Sequence, residues 1–255
     1  MLTPSRILHK NILAAASFLF AASHSYALDI VWTASQPSQP LKSFSTEEIG
    51  HLKKLSSSEV DPSSGKSVRW EGVSLGDIID TTLKDFPNER KAQIDLIVLK
   101  NASGGEALIP RSFIVKYPVL LATKKDHHPT SGLISVPPWT SKSKSRSEGL
   151  AVETFFIDGV TEIDLGNYRQ RYGSVFLKNR MEPTALRGEK AFVQNCLSCH
   201  DGAKGEAGIA EARKPFTTHP DVKGAPKLDD REKRAIKAYL DIYGAENPPK
   251  TAASN

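Results

Sequence analysis

Trp70-Glu71-Gly72-Val73-Ser74-Leu75-Gly76-Asp77-Ile78-Ile79 changes its hydrophobic period midway. Val68 to Val73 alternates apolar and polar side chains as a half-buried strand does, while Leu75, Ile78, Ile79 and Leu83 fall at helical spacing. A strand running directly into a helix predicts an α+β fold, and the flanking sequence extends that pattern. Upstream, Ile30-Val31-Trp32 starts a strand, and Ser45-Thr46-Glu47-Glu48 has the form of a capping box that opens a short helix carrying Ile49 and Leu52. Downstream, strands are expected at Ile94–Leu99 and Ala107–Ile109 around a Gly104-Gly105 turn, and again at Val119–Ala122. Residues 126–148 hold Pro129, Pro137, Pro138 and the run Lys142-Ser143-Lys144-Ser145-Arg146, a composition that predicts a long surface loop. Apolar character returns at Val152–Ile157 and turns at Asp158-Gly159.

Beyond Tyr172 the character changes, and a helical pattern runs from Pro183 through a pair of cysteines. The expected organisation is a leader over residues 1–27, an α+β domain with a mixed sheet over 28–166, a linker over 167–182 and a small all-α domain over 183–255. The leader follows from Arg6 and Lys10, an apolar stretch from Ile12 to Ala22, and Ser25-Tyr26-Ala27, which places small residues at the positions a signal peptidase reads. That stretch is shorter than the roughly 20 residues a membrane-spanning helix needs. The expectation is therefore an exported, periplasmic protein that begins at Leu28 and touches membranes at most peripherally. Loss of the leader removes two of the 34 basic residues and none of the 29 acidic ones, leaving a net charge of about +3. Cations scattered among acids point away from nucleic acid as a partner.

An exported chain has access to disulfide chemistry, yet this one has two cysteines only, three positions apart. Cys196-Leu197-Ser198-Cys199-His200 is a C-x-x-C-H string: two thiols one helical turn apart can form thioethers with the vinyl groups of a haem, and the adjacent histidine can ligate its iron. A redox dithiol and half of a zinc site are the competing readings. The first would want the motif at a helix start in a βαβ unit, and the second needs two further ligands that no other cysteine supplies. One covalent haem c held by Cys196, Cys199 and His200 is the expectation.

The residues before the motif, Gly188-Glu189-Lys190-Ala191-Phe192-Val193-Gln194-Asn195, resemble the first helix of class I cytochromes c, where a glycine and an aromatic face the last helix. Asp229-Asp230 can cap that last helix, in which Ile236, Tyr239, Leu240 and Tyr243 share a face. The resemblance implies that Tyr239 packs on Phe192. It also implies a distal methionine after the motif, and here the chain departs, since no methionine follows position 200. Thr217-Thr218-His219-Pro220 stands there instead, so His219 is the expected distal iron ligand, with Met181 as the alternative and an open iron as the third possibility. Residues 29–165 loosely resemble the oxidoreductase molybdopterin-binding fold of sulfite-oxidase-type enzymes, through Trp70–Ile79, Ile109-Pro110, Phe113 and Tyr117-Pro118-Val119-Leu120-Leu121-Ala122. Those enzymes bind molybdenum through a cysteine that this region lacks, so no molybdopterin is expected. His127-His128 reads as solvated. Together these readings describe a monohaem electron carrier whose partner is a periplasmic redox protein or a membrane-bound dehydrogenase or oxidase. A haem enzyme or gas sensor with an open iron is the alternative.

Overall fold

A computed structural model of the protein describes residues 27–138, 150–197 and 228–248. The strand-to-helix turn is present. Strand β4 (Ser67–Ser74) runs into helix α2 (Leu75–Thr82), where Ser74 caps the first turn by accepting from the Asp77 N–H at 3.2 Å. Leu75, Ile78, Ile79 and Leu83 are all buried, as their spacing requires. Gly72 has a steric reason: a Cβ there would lie 2.0 Å from the Leu121 carbonyl of the neighbouring strand, at the point where the register of the pair shifts.

Nine strands form one mixed sheet. β1 (Leu28–Trp32), β2 (Gln39–Phe44), β3 (Lys54–Val60) and β4 are followed by the hairpin of β5 (Leu96–Asn101) and β6 (Glu106–Pro110). Then come β7 (Leu120–Lys125), β8 (His128–Val136) and β9 (Ile157–Gly166), and the strand order is β2-β1-β9-β8-β7-β4-β3 with β5 on β9. β9 organises the sheet. It pairs parallel with β1 and antiparallel with both β8 and β5. Short helices α1 (Thr46–His51), α3 (Asn88–Lys91) and α4 (Arg111–Lys116) fill the connections, and the expected capping box of Ser45 and Glu48 opens α1.

The surface loop expected over 126–148 is corrected: β8 occupies nine of those positions. Asp126 and His127 both take positive φ (46° and 68°), which makes a tight two-residue hairpin from β7, and Leu133, Ser135 and Val136 are buried. Pro129, which has no N–H to donate, sits at the start of the strand, before the span that pairs with β9. Residues 142–146 lie outside the described residues.

The expected fold class also needs correcting, because the described residues show no separate all-α domain. Among the described residues two helices follow the sheet, α6 (Pro183–Asn195) and α7 (Asp230–Glu246), after the short α5 (Tyr168–Arg171). They share a core with the sheet. Ile97 and Leu99 of β5 face the main core, while Leu96 and Val98 on its other face pack with Tyr168, Tyr172, Val175 and Leu177 and with the inward sides of α6 and α7. The physical reason lies in the unbroken apolar run Leu96–Leu99, which has no polar alternation because both faces of the strand are covered. Residues expected to serve only as a linker supply part of that second core.

The same outer face carries a charge cluster around the buried Asp164. Lys100 Nζ lies 2.6 Å from Glu162 Oε1 and 2.7 Å from Asp164 Oδ2, and Asp164 Oδ1 is buried without a partner among the described residues. Burial pushes the Asp164 carboxyl up to about 6, with Lys100 opposing and the neighbouring Glu162 adding to the rise. A carboxyl whose folded value lies above its unfolded one, about 3.9, favours the folded state most below pH ~4 and loses that contribution as pH rises through about 6. Asp164→Asn should therefore gain stability relative to the parent across this window. Urea titrations at either end would show it, and a difference independent of pH would refute the assignment.

Candidate haem-attachment site

Helix α6 begins with Pro183, whose missing N–H costs nothing in the first turn, and is capped by the Glu182 carboxylate on the Ala185 N–H. Gly188 then meets α7 at backbone distance: a Cβ at this position would lie 1.9 Å from the Ala235 carbonyl oxygen. One turn later Phe192 packs on Tyr239, ring centroids 5.2 Å apart, which is the contact the helix resemblance implied. α7 opens with a capping box between Asp229 and Glu232 and buries Ala235, Ile236, Tyr239, Leu240 and Tyr243. The Tyr239 hydroxyl donates to the Val175 carbonyl at 2.6 Å and that of Tyr243 to Ser174 at 3.0 Å, so both tyrosines anchor the helix pair to the segment leaving the sheet. Burial, reinforced by Tyr243, Glu189 and Cys196, raises the Tyr239 hydroxyl well above its ordinary range and keeps it a donor.

Two acidic residues that the sequence did not single out fix this segment. Glu189 is 3% exposed; it accepts from the Leu177 N–H at 2.7 Å and pairs with Arg180 at 3.0 Å. Glu246 at the end of α7 accepts from the N–H groups of Lys178 and Asn179. A signal for Glu189 existed, since it stands four residues before buried Val193 on the same side of the helix.

The structure places Cys196 at the C-cap of α6, its N–H closing the last turn on the Phe192 carbonyl at 2.8 Å. Its side chain is half-buried against the second core, and Leu197 beside it is buried. Cys199, His200 and His219 lie outside the described residues. Met181 is 85% exposed at the opposite end of α6, and a helix of 13 residues separates it from Cys196 by about 20 Å, so the two are not brought together. His51 stands on α1 and His127 and His128 on the β7–β8 hairpin, where His127 Nδ1 is 2.8 Å from Glu71. None of these histidines joins the core that holds Cys196. Among the described residues no cluster of three or more His, Cys, Asp or Glu is arranged to hold a metal, and no helix is long and apolar enough to cross a membrane.

A covalent haem fits what is present here. The half-buried thiol borders an apolar core, as the edge of a porphyrin requires, and the side-chain oxygen of Asn195 next to it is buried with no donor among the described residues. A cleft of about 590 Å³ also runs along α6, between Lys190 and Val193 on one side and Arg111, Tyr168 and Phe176 on the other. A scan against protein-family models finds no match to this chain, and a search among curated proteins finds none either.

Proposed function

We propose that the protein belongs to the class of covalent-haem electron carriers. More narrowly, it acts as an exported, periplasmic monohaem cytochrome of c type, with Cys196 and Cys199 as thioether donors, His200 as proximal ligand and His219 as distal ligand. The observation that carries this reading is the placement of Cys196, directly after a helix whose Gly188 and Phe192 lock onto α7, with Leu-Ser-Cys-His following in the sequence. A bound haem would supply a one-electron iron couple. The chain's own residues hold the attachment helix rigid through Glu189, Tyr239 and Tyr243, and provide the apolar border that keeps water from one side of the thiol. Export is supported by the leader pattern and by β1 starting at Leu28, the residue after the expected cleavage point. The electron partner in this reading is a periplasmic redox protein or a membrane-bound dehydrogenase or oxidase. The sheet half of the molecule, without a cysteine of its own, serves as scaffold for the helix pair.

Visible and near-infrared spectra of the purified protein in both redox states, with carbon monoxide added to the reduced form, test this directly. A low-spin spectrum without the ferric methionine–sulfur band, and unchanged by carbon monoxide, is expected. His219→Met should then introduce that band and raise the reduction potential, because thioether ligation favours ferrous iron over two imidazoles. A high-spin parent spectrum that shifts with carbon monoxide would overturn the carrier reading in favour of an enzyme or sensor. No haem band at all would overturn the haem reading itself.

A further inference from the structure

Beside Trp70 and Ile134, on the sheet face turned away from the main core, a cleft of about 250 Å³ opens over β4, β7, β8 and the start of β9. Its floor is built and its rim is open. Asp61 forms part of the floor at 2% exposure, with one oxygen accepting from the Ser63 N–H and hydroxyl, and the other from Ser64 and from Lys125 Nζ at 2.8 Å. Burial works against that charge, yet these donors together hold the Asp61 carboxyl far below the usual range, so it is a fixed anion. Its role is to fix Lys125, whose ammonium is thereby held 5.4 Å from the centroid of the Trp70 ring.

What remains unpartnered around this cleft defines what would fill it. Trp70 is 1% exposed and part of the wall, and its indole N–H is buried with no acceptor among the described residues, an omission that costs about 1–3 kcal/mol in a protein interior. Lys125 gives one hydrogen to Asp61 and has no second acceptor among the described residues. Ser131 on the rim likewise has no partner among them. Trp70 and Lys125 donate, and the Ser131 hydroxyl can donate or accept. Besides Asp61, whose oxygens are already engaged, the Asp158 carboxylate faces them and lies near both Asp61 and Lys125; burial and then Asp61 raise its pKa, and Lys125 opposes them. Phe156, set edge-on to Trp70, supplies an apolar wall.

We propose that this cleft is a binding site for a small organic acid that carries a hydroxyl or ammonium group beside its carboxylate. The carboxylate takes the hydrogens of Trp70 and Lys125, the neighbouring hydroxyl or ammonium donates to Asp158, and a short carbon chain lies against Phe156. The volume sits below the usual range for drug-sized ligands, roughly 300–1,000 Å³, and so limits the ligand to a few carbon atoms beyond the acid group. A plain anion would leave Asp158 facing it, and a plain cation would face Lys125. The pairing of charges selects a molecule with both features.

Titration calorimetry on the haem-loaded parent, with 2-hydroxypropanoate, 2-aminopropanoate and propanoate as probes at millimolar concentrations, tests this independently of the haem. Saturable heat from at least one substituted acid, with propanoate about tenfold weaker, is expected, a tenfold step being the size of one hydrogen bond to a charged group. Whichever substituted probe binds more tightly identifies the donor as hydroxyl or ammonium. Asp158→Asn leaves the fold's buried groups untouched and should remove the preference over propanoate, while Trp70→Phe should weaken every probe. Absence of saturable heat for all three probes, or unchanged discrimination in Asp158→Asn, would overturn the proposal.

Discussion

Purification of a Cys196→Ala, Cys199→Ala double variant is expected to yield protein that carries no haem, or haem that acidified organic solvent removes completely, whereas the parent should retain its haem through the same extraction. The reasoning is chemical. Axial ligation by imidazole is reversible once acid protonates the ring nitrogen, while a thioether is a carbon–sulfur bond that acid does not open. Each single variant should keep one thioether and resist extraction. The substitutions leave these supports of the helix before the motif in place: the Cys196 N–H closes the final turn, and Phe192, Tyr239 and Glu189 hold the rest. A folded apoprotein is therefore the expected background. Loss of haem from the double variant with unchanged far-ultraviolet circular dichroism would separate attachment from folding. A double variant that held its haem through acid extraction would refute attachment at these positions.

The candidate site was legible in the sequence to the extent that its proposed chemistry is local. Cys196, Cys199 and His200 stand within five residues and are visible as one string, while Gly188, Phe192 and Tyr239 were singled out through the resemblance to a cytochrome helix pair, whose implied Phe192–Tyr239 contact is present. Glu189 and Asn195 were not legible in the same way. A buried polar side chain is recognised by its partners, and those of Glu189 are Leu177 and Arg180, 12 and 9 residues away. The fold divides along the same line. Trp70–Ile79 announced itself because its period changes from 2 to 3.6 within ten residues, and Ser45–Glu48 because both ends of a capping box are visible at once. β3, Lys-Leu-Ser-Ser-Ser-Glu-Val, buries only Glu59 fully, and that acid is the opposite of a strand's apolar signal. β8 was hidden by Pro129 and by a turn made from Asp126 and His127 in place of the usual glycine. The two-sided burial of β5 misled most. Its apolar run reads equally well as a strand with one covered face, and only the position of α6 and α7 over Leu96 and Val98 shows that sheet and helices form one body.

That shared core makes the helix crossing a test of the whole arrangement, and Gly188→Ala should act on it strongly. The added methyl carbon would meet the Ala235 carbonyl oxygen at 1.9 Å, its carbon at 2.3 Å and the Ile236 nitrogen at 2.9 Å, all of them backbone atoms that no rotamer change can move. The two helices must separate, and separation loosens the Phe192–Tyr239 contact and the Tyr239 bond to Val175. Overpacking typically costs 1–3 kcal/mol, and a clash with main chain belongs at the upper end, so a loss of about 3 kcal/mol is expected. For a chain of this size that corresponds to roughly 6–12 °C in Tm. Gly50→Ala provides the control: nothing lies within 4 Å of a Cβ there, and in helix α1 alanine should stabilise by about 0.5–1 kcal/mol. If the glycine served only the helices, Gly188→Ala would loosen α6 and α7 and leave the sheet's amides protected from hydrogen exchange. Because Tyr239 and Tyr243 tie the helices to residues 174 and 175, and these to Leu96 and Val98, protection should fall in β5 as well. Unchanged protection at Leu96–Val98 in a destabilised Gly188→Ala variant would mean that the helix pair folds apart from the sheet after all.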